Sequence, residues 1–228
     1  MSEALNAADL EALRKITSPT VCNAIETLNV RRRNEGFMDS SIRCIFPELG
    51  TLVGYAVTAK IAATHPSDAA VSPVELWKLV ERSPKPAILV IEDLDTHPIG
   101  SFWGEVNGSI YQGLGAAGTI TNGGVRDLDE VRATGFHFFA SCVLVSHAYI
   151  HIEEAGTAVT IGGLTVRLGD LLHADQHGVT SVPIEIARQL PHAAEAVEAR
   201  ERRIIDYARS GNVTPEGISG VFRPGTKR

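Results

Sequence analysis

The sequence predicts a mixed α/β fold, and three observations predict it. Ser18-Pro19 and Ser72-Pro73 each place a capping hydroxyl before a proline suited to a first helical turn. Beside the helices they announce, "PAILVIED" (86–93) has the short, unbroken apolar character of a strand buried on both faces. From "TAVTIGGLTV" onward the texture changes to brief β-rich runs cut by turn residues, with Gly162-Gly163 as a hairpin signal. The expectation is an α/β core, a β-rich second half and a terminal helix, all in one domain over residues 1–228.

In order, residues 7–16 read as a short helix, and "SPTVCNAIETL" as a second that Ser18 caps. Residues 31–50 are irregular, and Arg31-Arg32-Arg33, followed by Glu35, reads as a solvated loop. "TLVGYAVTAKIAAT" is rich in β-branched residues and long enough for a strand; "VELWKLVER" follows the second capping pair as a helix. Phe102, Val106, Ile110 and Leu114 recur every four residues, which predicts a helix starting near Phe102. "TIT" (119–121) reads as a strand end, residues from about 127 to 134 as a short helix, and "FHFFAS" as a strand. "CVLVSHAYIHI" is again β-rich. Pro183 is expected to open a long helix through about 209, with the charges of "EAVEARERR" on an exposed face.

Composition bounds the function. The 228 residues are 44% hydrophobic and 21% charged, a globular balance, with a net charge of −6. An acidic chain without a Lys/Arg block gives no electrostatic reason to expect nucleic acid or an anionic membrane as partner. Nothing at the N-terminus reads as a signal core, and no stretch reaches the roughly 18 apolar residues of a membrane helix. The three cysteines, Cys22, Cys44 and Cys142, match neither a disulfide scaffold nor a zinc knuckle and read as small, reduced core residues. A cytoplasmic protein is expected.

Several constellations could carry chemistry. Gly113, Gly115 and Gly118 fit a dinucleotide-binding pattern, but they close a helix and precede a strand. The mechanism needs them after a strand, opening a helix, so a tight turn is the better reading. His147 and His151 have the spacing of two metal ligands on a helix; on the strand the sequence suggests they would lie about 13 Å apart and hold no common ion. His173, Asp175 and His177 alternate in "LLHADQHG", where a structural turn is favoured. "TNGGVRDLDE" is stronger. Its glycines let backbone approach a ligand, Arg126 is a planar fork suited to a carboxylate or 2-oxo acid, and Asp127 is a hard oxygen ligand for Mg²⁺ or Mn²⁺. The residues alone leave open the plainer use of Asp127 as a helix N-cap with Arg126 in solvent.

The motifs around that stretch carry a resemblance. Glu105 is followed by twenty residues, 106–125, and then by Arg126-Asp127. With "SPTVCNAIE", "LVGYAVTAK" and "IGGLTVRLGDLLHADQHGVTSVP", this spacing resembles the RraA-like family, which holds the regulator of ribonuclease activity A and the 4-hydroxy-4-methyl-2-oxoglutarate aldolases. The resemblance implies a swivelling β/β/α fold, a homotrimer or a hexamer of trimers, and a site between subunits. It implies that Asp127 holds a divalent metal (Mg²⁺ or Mn²⁺), that Arg126 binds the pyruvyl part of a small 2-oxo acid, and that Glu105 supports the metal's waters. Backbone amides around Gly104, Glu105, Val106 and Asn107 would take the substrate carboxylate. A glutamate from a neighbour's C-terminal region is also implied, with Glu201 nominated ahead of Glu195 and Glu198. The chain departs from the aldolases in having Glu105 for Asp and Asn23 where many relatives have Asp. The activity implied is metal-dependent retro-aldol cleavage to pyruvate, with oxaloacetate decarboxylation through the same enolate and a metal-polarised water held by Glu105 as base. The rival is a non-catalytic protein that inhibits a ribonuclease.

Overall fold

Leu52 to Ala62 form one 11-residue strand with partners on both edges, buried almost throughout because packed side chains cover both of its faces. The chain is described here by a computed structural model covering residues 5–222. In order the elements are α1 (Ala7–Arg14), α2 (Ser18–Leu28), β1 (Arg43–Cys44), β2 (Leu52–Ala62), α3 (Pro73–Arg82), β3 (Ala87–Asp93), α4 (Glu105–Gly113), β4 (Ala116–Thr121), β5 (Gly124–Val125), α5 (Leu128–Thr134), β6 (His137–Ala140), β7 (Cys142–Val143), β8 (His151–Ala155), β9 (Val159–Ile161), β10 (Leu164–Val166), β11 (Leu171–Asp175), β12 (Gly178–Val182), α6 (Leu190–Ala208) and α7 (Pro215–Phe222).

The main sheet runs β1-β6-β4-β3-β2-β11-β12 and curls into a nearly closed barrel. β2, β3, β4 and β6 are mutually parallel. β2 pairs antiparallel with β11 through its first half and with β8 through its second, a bulge at Lys60/Ile61 marking the second pairing. Strand alternation sorts the core. Ile88 and Val90 of β3 point to the inner face, with Ile120, Phe139 and the β9–β10 hairpin. Leu89 and Ile91 point outward, beneath α3, α4 and α5, together with Trp103, Tyr111, Phe136 and Phe138. Val53 and Tyr55 also point outward, but at the other end of β2, beneath α1, α2 and the start of α6. Each such side chain, fully buried, contributes about 1.5–3 kcal/mol relative to exposure.

The fold class and most elements stand where the pattern puts them. Six readings need correction. Thr17, not Ser18, caps α2; Ser18 is the first helical residue and its hydroxyl turns inward. α4 begins at Glu105, and Val106 and Ile110 of the four-residue stripe face out, while Gly108 and Tyr111 are buried. Residues 144–150 are not strand: β7 stops at Val143 and β8 starts at His151, so His147 lies in a turn. Its Nδ1 meets Ala148 O (2.7 Å), and His151 Nε2 meets Glu153 Oε1 (2.7 Å), so each histidine has a local partner. The terminal helix starts at Leu190, because the segment after Pro183 first makes turns and a short 3-10 helix over Ala187–Gln189. Arg31 is no solvated loop residue: its guanidinium donates to Ser181 O and Thr180 Oγ1, tying the end of α2 to β12. The three cysteines are unpaired and half-buried rather than core, and burial pushes the Cys44 thiol up to about 11. Among the described residues no helix is long and apolar enough to cross a membrane.

The alternating His173, Asp175 and His177 form a structural joint. Ser18 N–H donates to Asp175 Oδ2 (2.8 Å), His177 N–H to Asp175 Oδ1 (2.8 Å), and Ser18 Oγ meets His173 Nδ1 (2.9 Å). His173 Nε2 lies 3.1 Å from Leu13 O, which can only accept, so Nε2 carries the proton and Nδ1 accepts from the serine. The joint works with a neutral imidazole. Burial lowers the His173 pKa, and burial lowers that of His137 to about 4. Both folded values fall below the unfolded one. The stability they represent is therefore present above about pH 6.5 and is lost as pH drops from there towards 4. Urea midpoints at pH 7 and pH 5 are expected to differ, and the difference is expected to shrink in His137→Gln and in His173→Gln.

Candidate functional site

The site is built on a strut that leaves the sheet at the end of β4. Asn122 uses its side chain as one more rung of the β3–β4 pairing: Oδ1 accepts Asp93 N–H (2.7 Å) and Nδ2 donates to Asp93 O (2.8 Å). Gly123 then turns the chain into β5. β5 is held on both sides, by Ser101 Oγ donating to Gly124 O (2.8 Å), by a bridge from Trp103 to Val125, and by parallel pairing with β7. Arg126 N–H donates to Trp103 O (3.1 Å), which finishes the strut and fixes where the next two side chains emerge.

Asp127 sits at the N-cap position of α5 but does not cap it. Its backbone is left-handed (φ 54°, ψ 49°), a conformation that costs a non-glycine residue about 1–3 kcal/mol. The result is a carboxylate turned away from its own helix and onto the next: Asp127 Oδ2 accepts Glu105 N–H, the first amide of α4, at 2.9 Å. Arg126 Nε lies 3.8 Å from the same oxygen, shielded from solvent and without a hydrogen-bond partner among the described residues. Cation, carboxylate and helix N-terminus therefore converge on one point, while Arg126 and Asp127 keep 36% and 37% of their side chains open.

Gly104 makes the convergence possible. A Cβ there would stand 2.4 Å from Asp127 Oδ2 and 3.2 Å from Arg126 Nε. The amides of Val106 and Asn107 belong to the first turn of α4, where the helix ladder offers no acceptor, so they are free to meet an anion. The Asn107 side chain is engaged elsewhere, donating to Phe102 O (2.6 Å) and anchoring the approach to α4. Glu105 is exposed at the mouth. Glu201 lies apart in this chain, on α6, where Asn23 Nδ2 donates to its Oε1 (3.2 Å). With Asn23, Glu26, Arg33 and Arg200 it lines a cleft of about 240 Å³ between α2 and α6.

The structure brings the predicted Gly104, Glu105, Arg126 and Asp127 together at the first turn of α4, which also carries Val106 and Asn107. Sequence reasoning missed the residues that hold them, Asp93, Asn122, Ser101 and Trp103. Asp93 was findable, since it closes the apolar run of a parallel strand, and ligands of open α/β sheets gather at such carboxyl ends.

The RraA-like family model, described as Aldolase/RraA, matches residues 18–181. The chain belongs to the RraA-like family. A Halalkalibacterium halodurans protein named "Putative 4-hydroxy-4-methyl-2-oxoglutarate aldolase" is 31% identical over 98 residues, which cover 41% of this chain and 47% of that one. The chain spans half or less of the length of the curated relatives it matches. Among solved structures, an uncharacterised Pseudomonas syringae protein superposes with a TM-score of 0.73 at 22% identity, covering 96% of each chain. Streptomyces coelicolor RraAS2, described as an unusual member of the RNase ES inhibitor RraA family, gives 0.69 at 22% identity, covering 87% of this chain and 97% of its own. These structures share the RraA-like fold.

The geometry makes a test of the two glycines of α4 and its cap. Gly104→Ala is expected to cost ~1–3 kcal/mol, because the new methyl must displace the Asp127 carboxylate. Gly108→Ala is expected to be neutral or stabilising, because nothing lies within 3.8 Å of a Cβ there and alanine favours a helix. Calorimetric melting of the two variants beside the parent reads both.

Proposed function

We propose that this RraA-like chain is a divalent-metal-dependent aldolase of the class II type. It would cleave 4-hydroxy-2-oxo acids such as 4-hydroxy-4-methyl-2-oxoglutarate to pyruvate and decarboxylate oxaloacetate as a second reaction. The observation that carries the reading is the convergence of Arg126, Asp127 and the α4 N-terminus on one open point, at the cost of a left-handed aspartate.

The donor set suits Mg²⁺ or Mn²⁺. Asp127 is a hard ligand with Oδ1 free of hydrogen bonds among the described residues, and Glu105 supplies a second carboxylate at the same helix start. Among the described residues no three His, Cys, Asp or Glu converge, which fits a cation that keeps most of its waters better than a zinc centre. When bound, such a cation draws electron density from the 2-oxo group of the substrate. The chain supplies the rest. Val106 and Asn107 N–H groups receive the carboxylate beside that oxo group. Arg126 offers its fork to the 2-oxo oxygen. Glu105 orients the water that takes the proton of the 4-hydroxyl. The C3–C4 bond then breaks, its electron pair becomes the enolate of pyruvate, and the methyl- and carboxylate-bearing carbon leaves as a second pyruvate. Arg126 faces the negative charge as it grows, where a fixed charge contributes most to rate.

Pyruvate release, followed by a coupled lactate dehydrogenase assay, tests the reading. Activity is expected to vanish in excess EDTA and return with Mg²⁺ or Mn²⁺. Arg126→Ala is expected to lower kcat/KM by at least about a hundredfold, and Arg126→Lys not to restore it, since a point charge lacks the fork. Glu105→Gln should reduce turnover with little change in melting temperature. Full activity in EDTA, or in Arg126→Ala, would overturn the assignment. The competing reading, a protein that binds a ribonuclease, needs only a surface; ribonuclease inhibition that persists in Arg126→Ala, without pyruvate release by the parent, would favour it.

The same reading extends to assembly as a homotrimer or a hexamer of trimers. Val106 (71% exposed) and Val143 (52%), at the mouth and flanking the strut, with Val145 (96%) and Tyr149 (61%) just beyond, present an apolar rim that a second copy would cover. A neighbour's α6 would then bring a glutamate, with Glu201 first nominated, to the open side of the site. Light scattering at micromolar concentration is expected to give three or six times the chain mass, and Val145→Asp to shift it towards the monomer.

A further inference from the structure

Asp93 is buried, only 3% exposed, yet the site described above makes no use of its carboxyl. Its backbone is clamped by Asn122, and its Oδ1 accepts Asp95 N–H (3.0 Å). Asp95 in turn accepts Ala63 N–H through Oδ2 (2.7 Å), so the loop after β3 is tied to the end of β2. Asp93 Oδ2 is different. It is sealed from solvent and has no hydrogen-bond partner among the described residues.

What Oδ2 does touch is the root of the strut. A Cβ on Gly123 would lie 2.9 Å from Asp93 Oδ2 and 3.2 Å from Asp93 Cβ, so the carboxyl is packed directly behind that glycine. Gly123 is also held by Thr121 Oγ1, which accepts its N–H (2.9 Å), and by Ser141, whose Oγ donates to its carbonyl (3.0 Å). Three residues further on the same backbone delivers Arg126 and Asp127. A carboxylate oxygen buried without a donor is costly, whereas a neutral carboxyl of the same shape costs far less.

We propose that Asp93 is a positioning residue, a neutral carboxyl wedged behind Gly123 that sets where the strut carries Arg126 and Asp127, and that its ionisation loosens that strut. The proposal rests on the aldolase reading only for its activity arm. Burial is the main cause that raises the Asp93 pKa, to about 6; the charge of Asp95 raises it further, and the hydrogen bond from Asp95 N–H opposes. The folded value therefore lies above the unfolded one. The neutral acid's contribution to stability is complete below about pH 4 and is lost as pH rises through about 6.

Asp93→Asn keeps the shape and removes the charge. Its melting temperature is expected to exceed the parent's by roughly 4 °C at pH 8, with the gap closing by pH 4. In the pyruvate assay the parent's kcat is expected to decline as pH rises through 6, and the variant's profile to lack that decline. A gap in melting temperature that does not change with pH, or an unaltered activity profile, overturns the proposal. The carboxyl ¹³C shift of Asp93 in the parent reads the titration without any variant, so a variant that fails to fold leaves the proposal decidable. A midpoint near 6 is expected, and a midpoint at 4 or below overturns it. If the parent makes no pyruvate, Mn²⁺ affinity at pH 5 and pH 8 replaces the activity arm. A several-fold weaker affinity of the parent at pH 8, beyond any change in Asp93→Asn, then supports the positioning role although the aldolase reading has failed. Equal pH dependence in the two proteins overturns that role.

Discussion

The hydrogen bond from Glu105 N–H to Asp127 Oδ2 is the contact around which the functional end of this molecule is arranged. It requires Asp127 to adopt a left-handed backbone, Gly104 to lack a side chain, and two helices from different parts of the chain to start within reach of each other. None of these would persist alone. Strain of this kind survives only where the surroundings over-determine it, and here Ser101, Trp103, Asn122 and the β5–β7 pairing all fix the same short strut. The sheet does the rest, since parallel β3, β4 and β6 end together and deliver their connections to one edge of the barrel.

The division of labour between the helices follows from strand alternation. Outward side chains of β2 serve two separate clusters, one beneath α1, α2 and α6 and the other beneath α3, α4 and α5. The helices that shape Arg126 and Asp127 therefore pack on a different core from the helix that carries Glu201. A buried serine–histidine–aspartate joint holds the first group to the β11–β12 hairpin, although the same three residue types form hydrolytic triads elsewhere. What separates the two uses is access: His173 is fully buried and both its ring nitrogens are engaged.

Much of this was legible in the sequence, for physical reasons that differ by residue. "PAILVIED" read as a strand buried on both faces and Ser72-Pro73 as a helix start, and both formed there. The spacing of Glu105 from Arg126-Asp127 singled out residues that the fold does bring together, and it is a property of the chain alone. The rest depended on partners far away in sequence. The hydroxyl of Ser18 is drawn inward by His173, 155 positions distant, and the cap passes to Thr17. Val106 and Ile110 obey helical spacing yet face outward, because Tyr111 and Gly108 fill the contact with the core. Pro183 marks a start that the chain delays, through turns and a 3-10 segment, until Leu190. The residues left Asp127 open between a helix cap and a ligand, and only the nearness of α4 shows why its side chain turns away from its own helix.

The split pairing of β2 bears on how the chain is made. One edge of that strand meets β3, which follows it closely, but the other edge waits for β8 and then for β11. At ribosomal speeds the interval between finishing β2 at Ala62 and producing Leu171 is roughly 5–20 s. During that time a long apolar strand presents unpaired amides and carbonyls to whatever is nearby. A newborn copy of this protein thus has good reason to meet a chaperone before its barrel can close.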